Sequence, residues 1–194
     1  MVTLPDRSSS ISFVPLRDSA VAGFTNGNGH RPLFRELQRV ARQVEQNLAA
    51  QGITLPAPRA PVANYVPFVR TGNLLFVSGQ VCLGGDGKMI ASGKLGGPVS
   101  IEEGYAAAKG CAVNLIAQVK AAVGDLDKVV RVVRLGGFVN SAPEFLDGPK
   151  VLNGASDLMV AAFGDKGRHA RTTVGVSSLP SDAAVEVEGV FEVE

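Results

Sequence analysis

The chain has few of the residue types on which several common chemistries depend. Its 194 residues include no tryptophan, two tyrosines, two histidines and two cysteines. No HExxH pattern and no CxxC pair is present, so nothing in the sequence predicts a metal site, and we expect no cofactor. We expect Cys82 and Cys111 to be buried, reduced thiols of a cytosolic protein.

An excess of charge of one sign is also lacking. The chain has 19 basic and 18 acidic residues, which are mixed along its length and leave a net charge of +1. A nucleic-acid partner would call for a basic stripe, so we expect none. The apolar runs are far shorter than the roughly 18 residues of a membrane span, so we expect no membrane partner and a cytoplasmic location.

The composition divides the chain into three parts. Residues 1–32 are polar and glycine-rich without sustained periodicity, and they are predicted to be a disordered or loosely packed tail. Residues 33–61 are predicted to form an N-terminal helix, over 33–51, followed by a proline-rich connector. Residues 62–194 are predicted to form the main domain.

Periodicity in the main domain predicts an α+β fold, with a mixed sheet and two main helices on one face. The first helix has a capping box at its start, Ser100 with Glu103. The second helix carries apolar residues at helical spacing. The predicted strands cover 65–70, 74–78 and 129–139, the helices cover 101–123 and 145–163, and a terminal hairpin covers 171–193.

The terminal hairpin carries the most suggestive pattern of the chain. In its second strand, Val185, Val187, Phe191 and Val193 share one face, while three glutamates, 186, 188 and 192, share the other. Arg171 opens its first strand, and a guanidinium group can bind a carboxylate through two parallel hydrogen bonds. The hairpin therefore suggests a site for a small carboxylated molecule.

Simpler interpretations of these residues stay open at this point. Arg171 could end a strand and pair with a nearby carboxylate, because surface ion pairs are common and weak. His169, the only histidine of the main domain, is expected to be a surface or loop residue, because no GxSxG nucleophile motif accompanies it. The three glutamates could all be solvent-exposed strand residues.

The order of several short motifs resembles the RidA family, also called YjgF-like proteins. The most specific part is Ala170-Arg171, then Leu179-Pro180, then the run Val-Glu-Val-Glu over 185–188. Tyr65, Ser78-Gly79-Gln80 and Asn153 extend the resemblance from residue 65 to the end. Residues 34–63 and 140–149 resemble a longer branch of that family, which has been labelled endoribonuclease L-PSP or chorismate-mutase-like.

The resemblance implies both a fold and an activity. The fold would be a RidA-like, chorismate-mutase-like domain that forms a homotrimer, with three clefts between neighbouring subunits. The best-known activity of the family is the hydrolysis of reactive enamines and imines to 2-oxo acids and ammonia. An iminium carbon is already electrophilic, so a positioned substrate and one proton-transfer group suffice, and the reaction requires no metal.

The resemblance also assigns roles to residues. Arg171 would bind the substrate carboxylate, and Glu188 would orient or activate water, while 186 and 192 would be ordinary surface. Tyr65 would line the cleft across the subunit boundary, Ser78 and Gly79 would contribute backbone, and Asn153 would support the cleft. Thr173 stands where the family often has a cysteine, and it would form part of the pocket wall.

Two alternatives to an enzyme of this type follow from the same residues. The residues around Tyr65 and at Thr173 depart from the usual family pattern, which favours a protein that binds or senses a small carboxylate without turnover. Ribonuclease activity follows only from a family label. No basic stripe with stacking aromatic side chains accompanies that label in this sequence.

Overall fold

The computed structural model describes residues 42–60 and 63–194. The predicted tail, and residues 33–41 of the predicted N-terminal helix, lie outside the described residues. The remainder of that helix is present as α1 (Gln43–Ala50), which buries Val44 and Leu48 in the same core as the rest of the chain.

A five-stranded mixed sheet forms the centre of the fold, and it confirms the α+β prediction. Its spatial order is β1-β2-β5-β3-β4, and only the β3–β4 pair is parallel. The strands are β1 (Phe68–Thr71), β2 (Leu74–Val81), β3 (Val129–Asn140), β4 (Ala170–Val176) and β5 (Val185–Val193).

The predicted terminal hairpin is wrong. β4 and β5 follow one another in the chain, but β3 lies between them in the sheet. β4 runs parallel to β3, whereas β5 pairs antiparallel with both β3 and β2. The segment between β4 and β5 contains a 3-10 turn, Pro180–Asp182, and it has to cross the end of β3.

The predicted alternation within β5 is confirmed. Its burial alternates without exception, with Val185, Val187, Phe191 and Val193 facing the core. Period-two alternation places one face of a strand against the core and the other away from it. The glutamates of β5 therefore lie on the face opposite the helices, which we call the outer face of the sheet.

The two main helices cover the core face of the sheet. α2 (Ile101–Val123) begins as predicted, with the Ser100–Glu103 capping box formed in both directions. α3 (Gly148–Phe163) begins three residues later than predicted. A start at residue 145 would require Pro149 to donate to the carbonyl four residues earlier, and proline has no backbone N–H. Pro149 instead occupies the first turn, where this loss has no cost.

The N-terminal strands differ from their predicted limits. The first strand was expected to begin at residue 65 but begins at Phe68, so Tyr65 lies in the preceding bends. β2 was expected to end at residue 78, but it continues to Val81 through an irregularity between Val77 and Gln80. That irregularity contains Ser78 and Gly79, and bulges of this type redirect side chains locally.

Two further sequence expectations concern burial and hydropathy. Cys82 and Cys111 are both unpaired and buried, as expected. In the described part of the chain, no helix combines the length and hydropathy that crossing a bilayer requires.

A glycine sets the distance between the two main helices. A Cβ at Gly154 of α3 would overlap the backbone carbonyl of Tyr105 in α2. We expect Gly154→Ala to force the helices apart and to lower the free energy of unfolding by about 1–3 kcal/mol, as overpacking does. Urea denaturation would measure the change. Gly85→Ala is the control, because a Cβ there meets nothing within 4 Å. Equal stability of the two variants would contradict the prediction.

Candidate functional site

Arg171 lies on the core face of the sheet, beside α3. It pairs with the buried Leu135 of β3, so its side chain points toward the helices. Its Nη1 donates to Asn153 Oδ1 at 2.8 Å and to Ser156 Oγ at 3.1 Å. The structure thus brings together Arg171 and Asn153, two of the predicted site residues, and it adds Ser156, which sequence reasoning missed.

The hydrogen bonds of Arg171 leave part of its guanidinium group available. The two hydrogens of Nη1 are taken up by the oxygens of α3, and Nη2 makes only a 3.4 Å contact with the Pro149 carbonyl. Among the described residues, no acceptor is bonded to Nε. A carboxylate typically binds along such an open guanidinium edge through two parallel bonds.

Thr173 lies on the same face of β4, two residues beyond the arginine. It pairs with Gly137 of β3, whose missing Cβ leaves space that is filled by Leu152 of α3. Thr173 Oγ1 is buried and is the one such side-chain atom in the described part of the chain without a hydrogen-bond partner. An unpaired buried hydroxyl costs about 1–3 kcal/mol, so a ligand that paired with it would recover that cost.

His169 is a loop residue, one of the two placements expected, but it is not at the surface. It is half-buried just before β4, with Nδ1 2.6 Å from the Gly167 carbonyl and Nε2 3.1 Å from Ser156 Oγ. Burial lowers the pKa of His169, and the nearby charge of Arg171 lowers it further, although the bond to Gly167 acts in the opposite direction. These residues form what we call the arginine cluster: Asn153, Ser156, His169, Arg171 and Thr173.

A second group of residues lines a cavity of about 710 Å³ between the end of β2, the proline-rich connector and α2. Tyr65, Gly79 and Glu186 all contribute to its wall, together with Gln80 and with Arg59 of the proline-rich connector. Tyr65 is about half exposed. We call Tyr65, Gly79 and Glu186 the glutamate cluster.

Glu186 is not the ordinary surface residue that was expected. Its side chain lies so close to Gly79 that a Cβ at that position would overlap the carboxylate. Burial raises the pKa of Glu186, and the negative charge of Glu188 raises it further. A carboxylate with a raised pKa in a cavity is a typical candidate for proton transfer.

Glu188 and Ser78 are engaged elsewhere. Glu188 Oε1 accepts from Arg134 Nη1 at 3.1 Å, and its side chain covers Gly136 on the outer face of the sheet. The Ser78 hydroxyl donates to the Val66 carbonyl at 2.8 Å, outside the cavity wall. Neither residue belongs to the arginine cluster or to the glutamate cluster.

One chain does not bring the two clusters together. Glu186 pairs with Phe138, which in turn pairs with Val174 of β4, so Glu186 and β4 are separated by two strand spacings of about 4.8 Å each. The arginine cluster also lies on the core face, whereas Glu186 points to the outer face. The sheet therefore separates the predicted carboxylate-binding group from the acidic groups.

The fold and these residues define the class to which the protein belongs. The family model described as "YjgF/chorismate_mutase-like, putative endoribonuclease" matches residues 45–191, well over half of the chain. The protein is therefore a member of the YjgF-like, or RidA, family, which confirms the resemblance found in the sequence.

Individual relatives extend over nearly the same region. Protein TCP17 from Trypanosoma cruzi is 49% identical over 151 residues, which are 77% of this chain and 94% of that protein. The 2-iminobutanoate/2-iminopropanoate deaminase of Dermatophagoides farinae is 28% identical over 142 residues, 73% of this chain and 95% of that protein. The crystal structure of Atu1372 from Agrobacterium tumefaciens, a protein of unknown function, is 45% identical with a TM-score of 0.77, covering 84% and 99% of the two chains.

The environment of His169 predicts how stability depends on pH. Because the folded-state pKa is lowered, the unfolded chain binds a proton first as the pH falls below about 6.5. The contribution of neutral His169 to the stability of the folded protein is therefore complete above that pH, and it is lost as the pH falls through the folded-state pKa. We expect wild type to lose more stability on acidification than His169→Gln.

Thermal denaturation between about pH 8 and pH 5 would test this expectation. Glu186, whose pKa is raised, affects the pH dependence of stability in the opposite direction. It does so equally in both proteins, so its effect cancels when the two profiles are compared. Parallel pH profiles for the two proteins would contradict the prediction.

Proposed function

We propose that the protein hydrolyses reactive enamines and imines to 2-oxo acids and ammonia in clefts between subunits of a homotrimer. The observation that carries this proposal is the arrangement of Arg171. Two oxygens of α3 fix one nitrogen of its guanidinium group, while Nε and most of Nη2 stay available for a carboxylate. The imine deaminase of D. farinae, with 28% identity over 142 residues, supports the choice of reaction.

A shared cleft is the simplest way to unite the two clusters. The sheet separates Arg171 from Glu186 within one chain, so a second copy would have to supply one of them. The outer face also presents partly exposed apolar side chains, namely Val69, Phe76 and Val174. Packing this face against another subunit would bury apolar area that a monomer leaves in contact with water.

Glu186, rather than Glu188, is the acid that we propose for proton transfer. Glu186 lines the cavity beside Gly79 and Tyr65, and no ion pair of the described residues neutralises it. Glu188 is held by Arg134 over the middle of the sheet. The alternating pattern of β5 presents both acids on one face, and only the cavity distinguishes them.

The proposed reaction needs only these groups and water. Arg171 of one subunit holds the substrate carboxylate, and Glu186 of the next accepts a proton from water as the oxygen bonds to the iminium carbon. Glu186 then returns that proton to the nitrogen. Glu186, again a carboxylate, takes the hydroxyl proton as the carbonyl forms and the carbon–nitrogen bond breaks, which releases ammonia and leaves the 2-oxo acid. Glu186 then passes this last proton to water.

Binding without turnover is the alternative function, and the unpartnered hydroxyl of Thr173 favours it. That hydroxyl lies beside Arg171, where it could pair with a polar group of a small carboxylate that is not an imine. In that case ligands would raise the melting temperature without any release of ammonia.

Three variants test the enzymatic proposal. Imines generated in situ by a threonine dehydratase would be supplied, and their loss followed in the presence of each variant. We expect Arg171→Ala to raise KM at least roughly tenfold, because it removes a charged hydrogen-bond pair. We expect Glu186→Gln to lower kcat roughly 100-fold or more, as loss of a general base does.

Glu188→Gln is the matched control, since it removes an equal charge from the same face of β5. We expect it to change kcat less than about threefold, because the ion pair with Arg134 is exposed and the pKa of Glu186 is raised mainly by burial, to which Glu188 only adds. A large kcat loss in Glu188→Gln with none in Glu186→Gln would reverse the assignment. No acceleration by the wild-type protein would leave the binding function as the better account.

The oligomeric state is a separate prediction. We expect light scattering at micromolar concentration to give a mass close to three times the 20.1 kDa of the chain. Val174→Glu would place a charge on the partly exposed apolar face, and we expect it to weaken assembly. Leu146→Glu adds the same charge at an exposed apolar residue outside the sheet and serves as control. A monomeric wild-type protein would rule out the shared cleft.

A further inference from the structure

The hydrogen bonds around Ser156 fix the position of every proton between Arg171 and His169. The Gly167 carbonyl can only accept, so the His169 Nδ1 that lies 2.6 Å from it carries the hydrogen. Nε2 of the neutral imidazole is then an acceptor, and the Ser156 hydroxyl donates to it over 3.1 Å. The lone pairs of Ser156 Oγ remain for Arg171 Nη1, also at 3.1 Å.

This chain of bonds determines how the guanidinium group is held. Nη1 has two hydrogens, and its two acceptors are Asn153 Oδ1 and Ser156 Oγ, both on α3. Asn153 is exposed, whereas Ser156 and His169 are partly buried behind the guanidinium group. Ser156, the more buried of the two acceptors of Nη1, is therefore hydrogen-bonded to an imidazole that can change its charge.

We propose that Ser156 and His169 are positioning residues for Arg171, and that through them carboxylate binding becomes tighter as the pH falls. This inference rests on the proposed role of Arg171 in binding a carboxylate. It assigns neither residue a direct contact with the substrate.

The direction of the pH effect follows from charge. One oxygen joins the imidazole to the guanidinium group, so protonated His169 would place a second positive charge next to Arg171. A bound carboxylate neutralises part of this repulsion, so it favours the protonated imidazole. By linkage, protonation of His169 must favour the carboxylate to the same extent.

The other charged groups near His169 are already engaged. Asp165 pairs with Arg168 at 3.4 Å, and Lys166 donates to the Val129 carbonyl. On α3, Asp157 accepts from the Tyr105 hydroxyl at 2.9 Å. Arg171 is the charged residue that acts on the pKa of His169, together with burial and the bond to Gly167.

Calorimetric binding of 2-oxobutanoate to the full-length protein tests the inference without requiring turnover. All proteins would carry Glu186→Gln, because the raised pKa of Glu186 would otherwise add its own pH dependence. The carboxylate of this probe stays ionised between about pH 8 and pH 5, so changes in affinity report on the protein. Thermal denaturation at each pH would confirm that every variant is folded.

We expect the parent protein to bind at least roughly threefold more tightly at pH 5 than at pH 8. His169→Gln should abolish that difference, because the side chain stays polar but no longer titrates. Ser156→Ala should weaken binding at pH 8 on the order of fivefold, because one acceptor of Nη1 is lost. Arg168→Gln removes a neighbouring cation that pairs with Asp165. It should leave unchanged both the affinity at pH 8 and the difference in affinity between pH 5 and pH 8.

Two results would overturn the inference while the proposed function stands. One is an unchanged affinity in Ser156→Ala, and the other is a pH dependence that persists in His169→Gln. The proposed role of Arg171 in binding the carboxylate would fail on other grounds. In that case the folded parent protein would not bind the probe, or Arg171→Ala would bind it equally well.

Discussion

The pairing of β5 with both β2 and β3 is the interaction on which the rest of the structure depends. β5 is the last strand of the chain, yet it occupies the centre of the sheet and joins the β1–β2 hairpin to the β3–β4 pair. Its alternation places four large apolar side chains under the helices and three glutamates on the other side. Without β5 the sheet would separate into two pairs of strands, and neither would present a complete face to α2 and α3.

The same strand explains why the candidate site is divided. A sheet that is apolar on its core face can accept a charged side chain there only at its edge, where the helices leave access to water. β4 is that edge, and Arg171 is placed there with polar partners from α3. The acids of β5 belong to the opposite face by the parity of the strand. Arg171 and the acids of β5 are thus kept apart within one chain.

The features that were predicted correctly depend on local pattern. The capping box at Ser100, the alternation of β5 and the burial of both cysteines follow from residues that are close in sequence. The family pattern also named Arg171 and Asn153, which the structure joins by a hydrogen bond, while their role in a site stays a prediction. These predictions required no knowledge of which strands are neighbours.

The errors arose where distant segments meet. A hairpin of β4 and β5 was the natural interpretation of two consecutive strands, but β3 inserts between them because the core needs β5 at its centre. Glu186 and Glu188 are equivalent in any local pattern, and only the bulge at Gly79 brings one of them to the cavity wall. His169 is linked to Arg171 through a hydrogen bond to Ser156, which is thirteen residues away on another element. No spacing rule would have joined them.

The unpartnered hydroxyl of Thr173 has a consequence for selectivity. A pocket wall of hydrocarbon tolerates most small groups and rejects few of them, whereas a buried hydroxyl penalises every ligand that leaves it unpaired. Molecules with a hydrogen-bonding atom near their carboxylate would therefore be favoured over those with a bare alkyl chain in the same place. Discrimination of this kind comes from the cost of the wrong ligand more than from any added attraction to the right one.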